Sequence, residues 1–189
     1  MKHKFERGQL MKQDACHLFE TPLGHCGIAW EGCDFAASHP VVTCLQFPEA
    51  TKELTEARMV ALVHGALVNT PPPAVAELIK KIQAHLQGAR QDFSEVMVDL
   101  GGVPSFAQQV YNATRKIPAG QTMTYGELAK AMARPGAARA VGQALGRNQI
   151  PLIIPCHRVL AAGGKAGGFS APGGLVTKAR LLALEGVAI

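Results

Sequence analysis

Residues 105–145 hold three short apolar stripes, each followed by a chain breaker or a polar turn, and no other stretch limits the fold as tightly. Ser105 and Gln108 spell an S-x-x-Q capping box, with Phe106, Val110, Ala113 and Ile117 at helical spacing before Pro118-Ala119-Gly120. Thr124 and Glu127 spell a second box, T-x-x-E, opening a helix through Leu128 and Met132. A turn at Arg134-Pro135-Gly136 leads to a third helix, Ala137 to about Leu145. Two short helices joined by a glycine-containing turn in a basic stretch predict a helix-turn-helix. The last helix reads A-A-R-A-V-G-Q-A-L-G-R-N, so Ala137, Ala138, Ala140, Gly142 and Ala144 leave its surface small. Such a helix suits a minor groove about 6 Å wide, and it suits close packing against another helix equally well.

The first hundred residues have a different texture. Residues 1–13 read as a loose extension. H-L-F-E at 17–20, C-G-I-A-W at 26–30 and V-V-T-C-L-Q-F at 41–47 read as short strands, with turns at Pro22-Leu23-Gly24 and around Gly32. Residues 53–67 are predicted helical. After T-P-P-P, a second helix carries Val75, Leu78, Ile79, Ile82 and Leu86 and ends at Gly88. E-V-M-V-D-L at 95–100 reads as another strand. The expected fold is therefore α+β: residues 1–100 a small α/β domain around a short antiparallel sheet, and residues 101–189 a helical domain.

Charge divides at the same boundary. Residues 1–100 hold nine Lys and Arg against twelve Asp and Glu, whereas residues 101–189 hold ten against two. A basic second half predicts a polyanionic partner. No run approaches the roughly 18–20 apolar residues of a membrane span, and the N-terminus lacks an apolar signal core. An intracellular, cytoplasmic protein is expected. Five cysteines, an odd number with no C-x-x-C pair, fit a reducing compartment. Four of them (16, 26, 33 and 44) lie near His17, His25 and His39, but their spacing matches no compact zinc motif. They are expected to be buried free thiols.

The fifth cysteine stands in I-I-P-C-H-R-V-L, residues 153–160. A neighbouring imidazole can help ionise a thiol, yet residues at i and i+1 seldom face each other on a regular element. Taken alone, Cys156 could be a structural thiol, a metal ligand or a nucleophile.

The surroundings say more. N-Q-I-P-L-I-I-P-C-H-R-V-L, preceded by the predicted helix-turn-helix and followed by G-G-F-S-A-P-G-G and L-L-A-L-E-G, closely resembles the O6-alkylguanine-DNA alkyltransferases. The resemblance runs almost continuously over residues 104–186 and is most specific at P-C-H-R-V and A-R-A-V-G. Residues 15–100 resemble that family's N-terminal domain only in strand order and the P-L-G turn.

The resemblance implies a winged-helix-like C-terminal domain and a protein consumed by one alkyl transfer, with no cofactor. Cys156 matches the alkyl acceptor, His157 the base acting through a water, and Glu185 the carboxylate orienting His157. Tyr125 matches the donor to the departing guanine, and Ser170 the residue that hydrogen-bonds O6. Arg139 matches the arginine that fills the base stack once the lesion is flipped out. Ala138, Ala140 and Gly142 lie on the matching minor-groove helix. Asn148 matches the asparagine bracing the turns, and Pro151 a pocket wall. Arg158 is expected to be structural. The implied partner is duplex DNA carrying O6-alkylguanine, with O4-alkylthymine as a further substrate, met by a monomer without membrane contact.

Two departures stand out. Phe169 replaces a frequent tyrosine, and Ala171-Pro172 separates Ser170 from Gly173-Gly174. The stretch V-D-L-G-G-V-P-S-F also lacks the histidine with which some relatives bind zinc, so no metal is expected. Two rival readings remain: a DNA binder that recognises lesions without reacting, and a Cys-His hydrolase.

Overall fold

The computed structural model describes residues 14–31, 40–63 and 66–189. The expected extension at residues 1–13 and the turn around Gly32 lie outside them. Strands β1 (Asp14–Thr21) and β2 (Gly24–Glu31) form an antiparallel hairpin. Its tight turn is closed by Thr21, whose Oγ1 donates to the Gly24 carbonyl and accepts from the Leu23 N–H. Gly24, at φ 120°, occupies backbone space open to glycine. Strand β3 (Val42–Gln46) continues the antiparallel order on the far side of β2.

Helix α1 (Lys52–Val63) then crosses the sheet and delivers β4 (Ala66–Leu67) parallel to β1, giving the order β3-β2-β1-β4. The helix expected over 53–67 therefore stops early. Its last residues pair with the backbone of Ala15 and Cys16, and this tertiary pairing outweighs helical propensity. Met59 of α1 lies against Gly27 so closely that a β-carbon there would overlap its thioether. Cys16, Ala29, Cys44, Met59 and Val63 form the small core beneath α1. The opposite sheet face joins the main core, to which α2 (Pro73–Leu86) contributes Val75, Leu78, Ile79, Ile82 and Leu86.

Residues 95–100 make no strand. Only Val98 bridges to Val42, because Asp99 immediately turns the chain by accepting the Gly101 N–H at 2.6 Å. Helix α3 (Ser105–Arg115) begins without the expected S-x-x-Q box. Pro104 takes the cap position, so Ser105 lies inside the helix and Gln108 falls one place beyond the N3 position a box needs; the Gln108 amide instead donates to the Leu100 and Val103 carbonyls. The second box is present. Thr124 caps α4 (Tyr125–Ala131), receiving the Glu127 N–H at 3.1 Å while Glu127 reaches back to the Thr124 N–H at 2.6 Å.

Helix α5 (Ala138–Leu145) follows the turn containing Ala133 and Gly136, both at positive φ. Helices α3, α4 and α5 pack on one another. Val141, Ala144 and Leu145 face the core, and Arg139, Ala140, Gln143 and Arg147 face outward. Residues Met123–Thr124 (β5) pair in parallel with Val159–Leu160 (β6), and α6 (Gly174–Leu184) closes the fold. One apolar core runs from Ala15 to Leu181 through both halves. Among the described residues, no helix is long and apolar enough to cross a membrane.

Candidate active site

Residues 151–160 are all buried, an unusual placement for a segment that is mostly turn. Its backbone is held from within. The Ile154 N–H bonds back to the Ile150 carbonyl at 2.9 Å, and Leu152 sits at φ 72°, a conformation costly for a leucine. The Cys156 N–H then reaches the Ile154 carbonyl at 2.7 Å across Pro155, whose φ of −79° and ψ of 64° define an inverse γ-turn. This bend leads into a single 3-10 turn, Cys156–Arg158.

Asn148 ties the loop to the thiol. Its Oδ1 accepts the Ile150 N–H at 3.0 Å, and its Nδ2 donates to the Ile154 carbonyl at 2.9 Å and to Cys156 Sγ at 3.3 Å. Burial pushes the Cys156 thiol above its ordinary pKa, although Asn148, the Lys178 charge and the backbone N–H groups of Cys156 and His157 pull the other way. Lys178 is wholly buried and donates to the Val159 carbonyl at 2.6 Å. Desolvation lowers its ammonium to about 8, against a partial upward pull from Cys156.

Behind the thiol lies a buried carboxylate. Glu185 Oε1 is 3.0 Å from His157 Nε2, 3.0 Å from His85 Nε2 and 2.7 Å from Arg158 Nη2. Its Oε2 accepts Arg158 Nε at 3.0 Å and the Gly120 N–H at 3.3 Å. Burial alone would raise this carboxyl, but the bonds from His157, His85 and Arg158 outweigh it and hold Glu185 far below the usual carboxylate range. An ionised Glu185 requires His157 to place its hydrogen on Nε2. His157 Nδ1 is then an acceptor, and it is buried with no protein partner. Burial keeps His157 below its ordinary pKa despite the opposing pull of Glu185, so the ring is neutral and able to take a proton.

Two cavities meet at Cys156. The smaller, about 280 Å³, is lined by Tyr125, Gly142, Cys156, Gly168, Phe169 and Ser170. The larger, about 730 Å³, runs past Asn148, Pro151 and Pro172 to Phe47 and Arg58 of the N-terminal half. The Tyr125 ring packs against Gly142 and Gly167. A β-carbon at Gly167 would stand 3.2 Å from its hydroxyl, and φ there is 67°. Burial and the nearby Cys156 raise the Tyr125 phenol, which stays protonated and can donate.

The structure thus gathers Cys156, Tyr125, Gly142, Asn148, Pro151, Phe169 and Ser170 around the cavities, with His157 and Glu185 behind the thiol. Arg139 and Ala138 lie on α5 outside both cavities, and Ala140 borders a third, of about 440 Å³, on another side of that helix. Ala171 and Pro172 form part of the large cavity's rim, where Thr177 Oγ1 donates to the Pro172 carbonyl at 2.8 Å. Sequence reasoning missed His85 and Lys178 and gave Arg158 no carboxylate partner. The signal was a polar residue on an apolar stripe: His85 follows Ile82 by three positions, and Lys178 precedes Leu181 by three. Among the described residues, no three His, Cys, Asp or Glu side chains gather as metal ligands.

The chain is similar to known proteins. Residues 105–187 match the family described as 6-O-methylguanine DNA methyltransferase, DNA binding domain. The methylated-DNA–protein-cysteine methyltransferase of Mycolicibacterium paratuberculosis is 39% identical over 150 residues, 79% of this chain and 83% of that protein. The crystal structure of Mycobacterium tuberculosis O6-methylguanine methyltransferase matches with a TM-score of 0.70 at 35% identity, covering 92% of this chain and 93% of that one. That of Mycobacterium tuberculosis OGT in complex with DNA matches at 0.69 and 34%, covering 90% and 92%. Similarity over so much of both chains, joined to the P-C-H-R-V segment that carries the buried thiol, places the chain in the methylated-DNA–protein-cysteine methyltransferase family.

Proposed function

We propose that the protein reverses alkylation damage in duplex DNA by moving the alkyl group from O6 of guanine onto its own Cys156. The observation that carries this reading is the position of Cys156 at the meeting of two cavities, with the His157–Glu185 pair behind it. The thiol is protonated at rest, so transfer needs a base. Neutral His157 takes the proton through a water at its unpartnered Nδ1, and Glu185 stabilises the imidazolium that results.

The thiolate then displaces guanine from the alkyl carbon. One S–C bond forms, one C–O bond breaks, and the electron pair leaves with O6. Tyr125 donates to the departing ring, and Ser170 at the cavity rim bonds O6. The thioether is stable, so each molecule acts once.

O6 lies within the stack of a duplex, so the base must be extruded into the smaller cavity. We assign that step to α5, with Arg139 filling the gap and Ala138, Ala140 and Gly142 letting the helix approach the minor groove. Residues 1–100 serve as a structural unit and residues 101–189 as the unit that meets DNA. A monomer in the cytoplasm, where thiols stay reduced, fits this chemistry.

The test follows a radiolabelled methyl group on O6-methylguanine in duplex DNA. Stoichiometric transfer to the protein, abolished in Cys156→Ala with DNA binding retained, is the expected result. Binding without transfer would establish a lesion reader, and turnover without labelling a hydrolase.

A further inference from the structure

Three side chains donate to one oxygen of Glu185, and only His157 and Arg158 come from the active-site turn. The third is His85, at the end of α2, one hundred residues away in sequence. Its ring is buried, tilted against Phe93 at a centroid distance of 5.5 Å. The Gln91 backbone N–H reaches His85 Nδ1 at 3.1 Å. A backbone N–H can only donate, so Nδ1 is the acceptor and Nε2 carries the hydrogen that meets Glu185. His85 therefore donates to Glu185 through Nε2.

We propose that His85 is a positioning residue for alkyl transfer: its Nε2–H fixes the rotation of the Glu185 carboxylate and draws off part of the charge that His157 would otherwise receive. The inference rests on the reading of His157 as the base. His85 and His157 share Oε1, each at 3.0 Å, so a hydrogen bond given by one weakens the hold on the other. The charged groups facing this cluster are Glu185 at the end of α6 and Arg158 on the 3-10 turn; Arg90 stands beside Gly120 and Gly186. None of these takes over the donor that His85 supplies to Oε1, because Arg158 already engages both carboxylate oxygens.

The experiment measures single-turnover transfer from O6-methylguanine DNA against pH in the full chain, for the parent, His85→Phe and His85→Gln. Phenylalanine keeps the aromatic packing and removes the donor; glutamine restores an N–H near the Nε2 position. With His85 gone, more of the Glu185 charge reaches His157, which then holds its proton to higher pH. The acidic limb of the rate profile is expected to move up by roughly half a pH unit or more in His85→Phe and to return towards the parent in His85→Gln. A merely structural role would lower the rate at every pH and leave the limb in place. An unmoved limb in His85→Phe overturns the proposal, as does a His85→Gln limb displaced as far as that of His85→Phe. If His85→Phe does not fold, His85→Asn, whose amide is too short to reach Oε1, replaces it under the same criteria. Absence of transfer in the parent would instead refute the Cys156 reading.

Discussion

Lys178 shows how one side chain can serve reactivity at the expense of stability. Its ammonium is buried beside Cys156 with the Val159 carbonyl as its hydrogen-bond acceptor, and desolvation lowers it from 10.5 to about 8. Below pH 8 the group is charged in both folded and unfolded chains, and the fold carries the whole desolvation cost. Between pH 8 and 10.5 the folded protein sheds the proton first and that cost fades. Lys178→Met removes the cost at every pH. Whatever the lost bond to Val159 contributes, the stability of the variant relative to the parent should fall as pH rises through this window. Denaturant melts should show a change on the order of 1–2 kcal/mol after allowance for solvent screening. The same variant should transfer alkyl groups more slowly at neutral pH, by roughly tenfold, since the thiolate loses the neighbouring positive charge that favours it. An unchanged rate would remove Lys178 from the reactive field. Lys178 and His85 were hidden in the sequence because a buried polar residue on an apolar stripe declares its burial without naming its partner. Cys156, His157 and Glu185 were legible through the family motif, which encodes a site that spacing alone does not reveal.

Among the elements, α4 links a local sequence signal most directly to the site. Its capping box begins at Thr124, one residue before Tyr125, and closes at Glu127, so the hydrogen bonds that start the helix also set the direction of the tyrosine lining the smaller cavity. Thr124→Ala should cost about 1–2 kcal/mol in denaturant melts and slow transfer more than it weakens DNA binding. Equal losses in both would mean that Tyr125 is placed by its glycine neighbours instead. This box was readable because both its bonds lie within four residues. The Ser105–Gln108 box failed because the helix starts one residue early, with Pro104 at the cap and Ser105 already inside it, and the strand expected at 95–100 failed because Asp99 turns the backbone after one bridge. Strand β4 was missed for a related reason: two residues carry too little periodicity to outweigh the helix before them.

Taken as a whole, the molecule is electrically lopsided, acidic over residues 1–100 and basic over 101–189, and Arg139 on α5 and Arg147 just beyond its end face outward on the basic side. Duplex binding should weaken linearly on a log–log plot against salt, with a slope near −0.9 for each phosphate neutralised. Arg147→Ala should lower its magnitude by about one. A slope unchanged by that substitution would move the DNA to another face. The charge boundary at residue 100 is not a boundary of the core, which runs uninterrupted from Ala15 to Leu181. The Glu185 carboxylate makes the same point at atomic range, since residues 85, 120, 157 and 158 all converge on it. This convergence fixes an order of events during folding. Until α6 docks, the His157 imidazole lacks the carboxylate that orients it. On the proposed mechanism, a chain whose α6 has not yet docked carries a sluggish thiol.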